Sequence, residues 1–273
     1  MKTAILFDLD GTLLPMDQEL FVKEYFTLLA KRLAPVGYDA ELLKKAFWGG
    51  VAAMVKNDGN CRNEEAFWKV FMQVFGEESL KDKPFIEAFY SEEFQLVQKV
   101  CGFNEKAREM VDFVKEQGKH PVLATNPLFP RIATENRMRW AGLSPEMFLH
   151  YTTYEHCHYC KPNPKYYLEV LENIGCTPEE CIMVGNDFDE DIVPTEALGM
   201  QGFLLLHCLI NKNEVDISIF PGGDYETLKL VPNSLSQFNH PGTKWGHFKD
   251  FKYISTQVDS LVHMVEMPGY HLT

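Results

Sequence analysis

The chain reads as an α/β protein, an open parallel sheet with flanking helices plus an inserted helical unit. Five short apolar runs, at residues 3–7, 121–124, 149–152, 181–184 and 202–206, have strand length. The last four alternate with helical patterns, and that alternation implies parallel strands joined by crossover helices. From about residue 15 to residue 100 the chain carries helical patterns with no strand between them.

The elements follow in order. The first run, Ala4-Ile5-Leu6-Phe7, is continuously apolar, as a strand buried on both faces requires. In the insert, Leu20, Phe21, Tyr25, Leu28 and Leu29 recur at helical spacing. So do Phe67, Phe71, Val74 and Phe75, then Phe85, Phe89, Leu96 and Val100, which predicts helices packed around a small core of their own. Residues 104–117 place Ala107, Met110, Val111 and Val114 on one helix face before Gly118. Helices are predicted over 131–141, stopping at Gly142, and over 164–174, stopping at Gly175. A last helix is predicted over 189–198, where Pro194 kinks it unless it lies in the first turn. From Asp224 onward the chain is rich in turns and aromatics, with a short helix expected over 258–266.

Bulk properties narrow the function. At 273 residues and 45% hydrophobic, the chain can bury one large core or two modest ones. A net charge of −13 speaks against nucleic acid and anionic membrane surfaces as partners, so any anion site must be locally positive. No apolar stretch approaches the ~20 residues that span a bilayer. Asp8 and Asp10 interrupt the apolar start, so it has no secretory pattern. Seven cysteines without a disulfide spacing suggest a reduced, cytoplasmic setting.

Four segments at predicted strand ends carry chemistry, and ligands of open α/β sheets collect there. Asp8-Leu9-Asp10-Gly11-Thr12 puts two carboxylates close together, and their repulsion favours a bound cation or a shared proton. Mg²⁺ suits such a place, because it is often held by one or two carboxylates plus substrate phosphate. In isolation the same segment is equally a loop or a helix cap. Thr125-Asn126 offers a hydroxyl, an amide and backbone N–H groups to an anion, or is simply a turn. Lys161, in Cys160-Lys161-Pro162-Asn163-Pro164, is stiffened by two prolines that can aim its charge inward; a lone lysine is otherwise a solvated residue. In Gly185-Asn186-Asp187-Phe188-Asp189-Glu190-Asp191, Asp187 and Asp191 face the same way on a helix, although acids at a helix start also serve the dipole. Cys157 and Cys160, flanked by His156 and His158, have zinc-type spacing but lack a further ligand, so a polar loop lining the site is the preferred reading.

Taken in this order, each behind its own strand, the segments resemble the haloacid dehalogenase-like (HAD) hydrolase superfamily. The resemblance covers residues 1–15 and 100–207 and implies a Rossmann-like core with a helical C1-type cap. The corresponding division is a core of 1–15 and 101–223, a cap of 16–100, and an extension of 224–273. It implies that Asp8 is the nucleophile, Asp10 the general acid/base, Thr125 the phosphate-holding hydroxyl and Lys161 the charge-neutralising cation. Asp8, the Asp10 carbonyl, Asp187 and Asp191 are the expected Mg²⁺ residues, and Thr12 and Asn126 the expected substrate contacts. Asn186 stands where the superfamily usually has an acid, so Asp187, Asp189 and Asp191 can share the metal differently. Asp187 and Asp191 are favoured because Asp191-Ile192 keeps the usual ending.

The function implied is a Mg²⁺-dependent phosphatase acting on a small phosphorylated metabolite through an aspartyl-phosphate. Alternatives are a sugar-phosphate mutase and a non-catalytic binding or structural member; homo-oligomerisation stays open. Asp10 favours the phosphatase over dehalogenase-type members, which lack an acid there. Met16, Phe21 and Trp48-Gly49-Gly50 are candidates for setting specificity.

Overall fold

A computed structural model describes residues 3–234; the helix expected over 258–266 lies outside them. The sheet is parallel, with strands β1 (Ala4–Phe7), β2 (His120–Leu123), β3 (Cys181–Gly185), β4 (Gln201–Leu205) and β5 (Gly222–Gly223) in the order β2-β1-β3-β4-β5. Side chains alternate between its faces, as strand geometry dictates. Ile5, Phe7, Ile182 and Val184 enter one core, while Ala4, Leu6, Cys181 and Met183 enter the other. Interior β1 pairs with β2 on one side and β3 on the other, so the order of strands reverses at β1. The crevice at the carboxyl ends beside such a reversal is where such sheets take ligands.

The expected strand at 149–152 shrinks to one bridge, Leu123 with Tyr151. Pro121 sits two residues before Leu123, with its ring nitrogen on the same outer edge, and has no N–H to extend the ladder. The fifth strand is instead the glycine pair of β5, against Leu204 and Leu205.

The insert holds α1 (Gln18–Leu33), α2 (Ala40–Val55), α3 (Asn63–Phe75) and α4 (Lys83–Ser91). Asp17 and Asp39 cap α1 and α2, accepting from the Leu20 and Leu42 N–H groups at 3.0 and 2.9 Å. Trp48-Gly49-Gly50 lies inside α2. A Cβ on Gly50 would stand 2.4 Å from the Phe67 ring, so the glycine lets α2 and α3 close up. The two connections to the insert run side by side, with Met16 bridging Cys101 and the Gly102 N–H donating to the Pro15 carbonyl at 2.7 Å. The expected separate core is absent, because the insert merges with one face of the sheet into a single apolar cluster. Phe94 lies against Trp140, tilted, at 5.0 Å and Phe21 meets Phe129 edge-on at 6.1 Å.

The flanking helices are α5 (Glu105–Glu116), α6 (Arg131–Trp140), α7 (Pro164–Ile174), α8 (Val193–Ala197) and α9 (Tyr225–Ser234). A π-helical turn over Phe188–Ile192 precedes α8, so Pro194 falls in the first turn of α8, where its missing N–H costs nothing. Helix α9 begins the segment after residue 223 and packs onto the core. Leu228 is buried there, and the Tyr225 hydroxyl donates to the Thr12 carbonyl at 2.7 Å. Among the described residues no helix is long and apolar enough to cross a membrane.

Candidate active site

The carboxyl ends of β1, β2 and β3 and the loop before α7 bring Asp8, Asp10, Thr125, Asn126, Lys161, Asp187 and Asp191 to one cavity. Behind β1 the chain folds into a tight loop, with the Leu14 N–H donating to the Leu9 carbonyl at 2.8 Å. Gly11 is required at its apex. Its φ is +87°, and a Cβ there would lie 2.4 Å from Asn186. Asn186 therefore belongs to the frame. Its side chain accepts from the Thr12 hydroxyl at 2.8 Å and donates to the Cys208 carbonyl at 2.7 Å. This corrects the expectation for Thr12, which is fully buried behind the cavity with its hydroxyl committed to Asn186.

Lys161 is the electrostatic centre. Its side chain is 1% exposed, and Nζ donates to Asp8 Oδ1 at 2.8 Å and to Asp191 Oδ1 at 2.7 Å. Burial alone would lower the pKa of this ammonium, but Asp191 and Asp8 more than reverse that and hold it well above the usual lysine range. The second Asp191 oxygen accepts from the Asp187 N–H at 3.0 Å. Gly185 leaves room for that carboxylate, since a Cβ there would stand 2.0 Å from Asp191 Oδ2. Asp187 itself caps the π-helical turn, accepting from the Asp189 and Glu190 N–H groups at 3.0 Å each.

Asp10 shares the cavity with Asp8. One of its oxygens is paired with Arg137 of α6, and the other, Oδ1, is buried without a protein partner. Arg137 is fully buried, stacked on the Phe129 ring at 4.4 Å. Burial pushes the Asp10 carboxyl up to about 6 against the pull of Arg137, and the nearby Asp8 charge pushes the same way. The carbonyl of Thr125 accepts from Thr152 Oγ1 at 2.6 Å and from the Tyr166 hydroxyl at 2.8 Å, which pins the residue at the cavity wall. Asn126 Nδ2 donates to Glu190 at 3.1 Å.

Asp8, Asp187, Glu190 and Asp191 give the cavity more negative charge than Lys161 and Lys212 offset. Burial, then mutual repulsion, raises the pKa of Glu190 and Asp191. A cation is the natural relief. Among the described residues no three carboxylate, imidazole or thiolate side chains gather around one point. The cavity's donors, the carboxylates of Asp8 and Asp187 beside Asp10, are oxygens of the kind a hard cation takes.

Arg137, Glu190 and Lys212 were not singled out in the sequence. Arg137 reads as an ordinary basic residue in a helix's last turn, and Lys212 lies in an irregular segment after β4. Glu190 alone had a signal, as one of the acids behind β3. The residues around Cys157 and Cys160 point apart. Cys160 Sγ accepts from Asn63 Nδ2 at 3.2 Å, while His158 Nδ1 faces Glu169 at 2.6 Å.

The family model for haloacid dehalogenase-like hydrolases matches residues 2–199. The chain belongs to that family. It is 26% identical over 246 residues to a glyceraldehyde 3-phosphate phosphatase of Methanothermobacter thermautotrophicus, covering 85% of this chain and 100% of the relative. It is 24% identical over 244 residues to a phosphoglycolate phosphatase of Aquifex aeolicus, covering 86% and 99%. Among solved HAD-like structures, a 2-haloacid dehalogenase of Pseudomonas syringae pv. Tomato shares the fold at a TM-score of 0.56 and 18% identity, over 86% of this chain and 99% of the other. A HAD phosphatase of Thermococcus onnurineus does so at 0.52 and 18%, over 85% and 97%.

Proposed function

We propose that this HAD-like hydrolase is a Mg²⁺-dependent phosphatase that works through an aspartyl-phosphate on Asp8. The observation that carries the reading is Lys161, buried between Asp8 and Asp191 at the sheet's carboxyl end. A carboxylate attacks a phosphate dianion only where positive charge offsets their repulsion. Asp8, the Asp10 carbonyl and Asp187 would hold the Mg²⁺, with Asp191 orienting Lys161 and Asp187 from behind. When bound, the ion neutralises phosphate charge as a Lewis acid.

An oxygen of Asp8 attacks phosphorus as the bond from phosphorus to the ester oxygen breaks. Asp10, protonated, gives its proton to the leaving oxygen. In the second half Asp10 takes a proton from water as that water attacks phosphorus, and Asp8 is released with inorganic phosphate. The partnerless Asp10 Oδ1 and the pull of burial on its proton affinity support this role. Thr125 and Asn126 hold the phosphate oxygens. The relatives named as phosphatases support a small phosphorylated substrate. Seven cysteines without a disulfide spacing fit a reducing, cytoplasmic setting.

The test is release of inorganic phosphate from a panel of phosphomonoesters with Mg²⁺ and with EDTA. Turnover that survives EDTA overturns the mechanism. Phosphate retained on the product under single-turnover conditions would indicate phosphotransfer instead.

Arg137 gives a second check. It is the strongest influence pulling the Asp10 proton affinity down, so Arg137→Met raises that affinity further. Activity is lost as pH rises through the Asp10 pKa, so the basic limb of the kcat/KM profile moves to higher pH, by roughly 1 unit. Arg137→Lys keeps the charge and leaves the limb near its parent position.

A further inference from the structure

The cavity does not end at the phosphate site. From Asp8 and Lys161 it runs into the insert, with a volume of ≈ 250 Å³. A dry cavity of about 150 Å³ already accepts benzene, so a ring fits here.

Its cap-side wall is aromatic. Phe21, Tyr25, Phe47, Phe67 and Tyr90 of the insert line it, closed by Phe129 from the loop before α6. They interlock edge-to-face, Phe47 on Phe67 at 5.1 Å and 72°, Tyr25 on Phe129 at 5.6 Å and 78°, so the wall's shape is fixed before any ligand enters. The polar tips of this wall are already used, because the Tyr25 and Tyr90 hydroxyls bond each other at 2.9 Å.

Charge points the same way. Among the described lining residues the cations are Lys161 and Lys212, and both belong to the sheet side with the acidic cluster. On the cap side the lining carboxylate is Glu87, 3.5 Å from Lys83. A second anionic group on the substrate would leave water for a wall whose neighbouring cations are already paired, Arg137 with Asp10 and Lys83 with Glu64 and Glu87, so its desolvation cost is poorly offset.

We propose that this cavity selects phosphomonoesters whose leaving group carries a flat aromatic ring rather than a carboxylate or other anionic tail. The proposal rests on the phosphatase reading for its phosphate end. It departs from the phosphoglycolate in one relative's name.

The test compares 2-phenylethyl phosphate with ethyl phosphate, whose leaving alcohols are close in basicity, so a rate difference reports binding of the ring. With Mg²⁺ present, kcat/KM for the phenylethyl ester is expected to exceed that for the ethyl ester by at least ~10-fold, the worth of burying a ring. Equal values, or phosphoglycolate turned over as well as the phenylethyl ester, overturn the proposal while leaving the phosphatase standing. Calorimetric titration of the Mg²⁺-loaded protein with 2-phenylethylphosphonate and ethylphosphonate separates the two ideas. Should neither ester release phosphate, a preference of at least ~10-fold for the phenylethylphosphonate still supports the aromatic site, and equal affinities overturn it.

Discussion

Asp8→Asn is expected to lower kcat/KM for any phosphomonoester by at least ~10³-fold, because it removes the proposed attacking oxygen's charge. The fold should survive the change. Lys161 keeps Asp191 as its ionic partner at 2.7 Å, and the asparagine carbonyl still accepts from the ammonium. The loss is therefore chemical, and two measurements establish it. Phosphate release should collapse, while the urea midpoint stays near that of the parent. Radiolabelled phosphate from substrate should also be trapped on the acid-quenched parent and not on the variant. Activity within a few fold of the parent would remove Asp8 from the reaction.

Lys161→Met should be the most damaging change to the fold as well as to turnover. Asp8 and Asp191 share this one buried ammonium, and without it two carboxylates face each other with no counter-ion. Removing one partner of a buried ion pair costs about 3–5 kcal/mol, which a urea titration reads directly. The sign of the pH dependence follows from Asp191. Burial first, and then the charges of Asp8 and Asp187, raise its proton affinity in the folded state even with Lys161 present. A carboxyl that binds its proton more tightly when folded loses stability as pH rises above the unfolded value of about 3.9. The deficit of Lys161→Met should thus be smallest near pH 4 and grow toward neutrality. A variant as stable as the parent at pH 7 would show that the ammonium is not holding the two carboxylates together.

Much of this site could be read in the linear chain. The acids behind β1 and β3 and the lysine before α7 each follow a change of periodicity, from apolar strand to turn to helix. Those changes are local, so the residues that sit on them are legible. Pairings that join distant parts of the chain are not. Arg137 reaches Asp10 across 127 positions, and only the packing of α6 on the sheet brings them together. Thr12 looks like a substrate contact because it follows the acids, yet Gly11 turns the chain so that its hydroxyl meets Asn186 instead. The strand expected at 149–152 failed because its neighbour carries Pro121, and the one at Gly222–Gly223 was hidden because a glycine pair has no side chains to betray burial. Helical periodicity in the insert told which faces are apolar. It did not tell that those faces cover the sheet, which is why a separate core was expected there.

Helix α3 begins in an unusual way. Arg62 precedes it in extended backbone, and its first amides find their acceptors in another part of the chain. The Asn63 N–H donates to the Cys157 carbonyl at 2.9 Å and the Glu64 N–H to the Tyr154 carbonyl at 3.0 Å, a few residues before Lys161. Asn63, wholly buried, adds its side chain to the same loop. Swinging the insert off the sheet would strip those amides of their partners and pull on the segment that positions the ammonium. The junction is therefore a clock as well as a clasp. Deuterium uptake at Asn63 and Glu64 would report partings of the two units; where the bared amides exchange faster than the units reclose, its rate is the opening rate and caps how often a substrate too large to slip in sideways could be admitted.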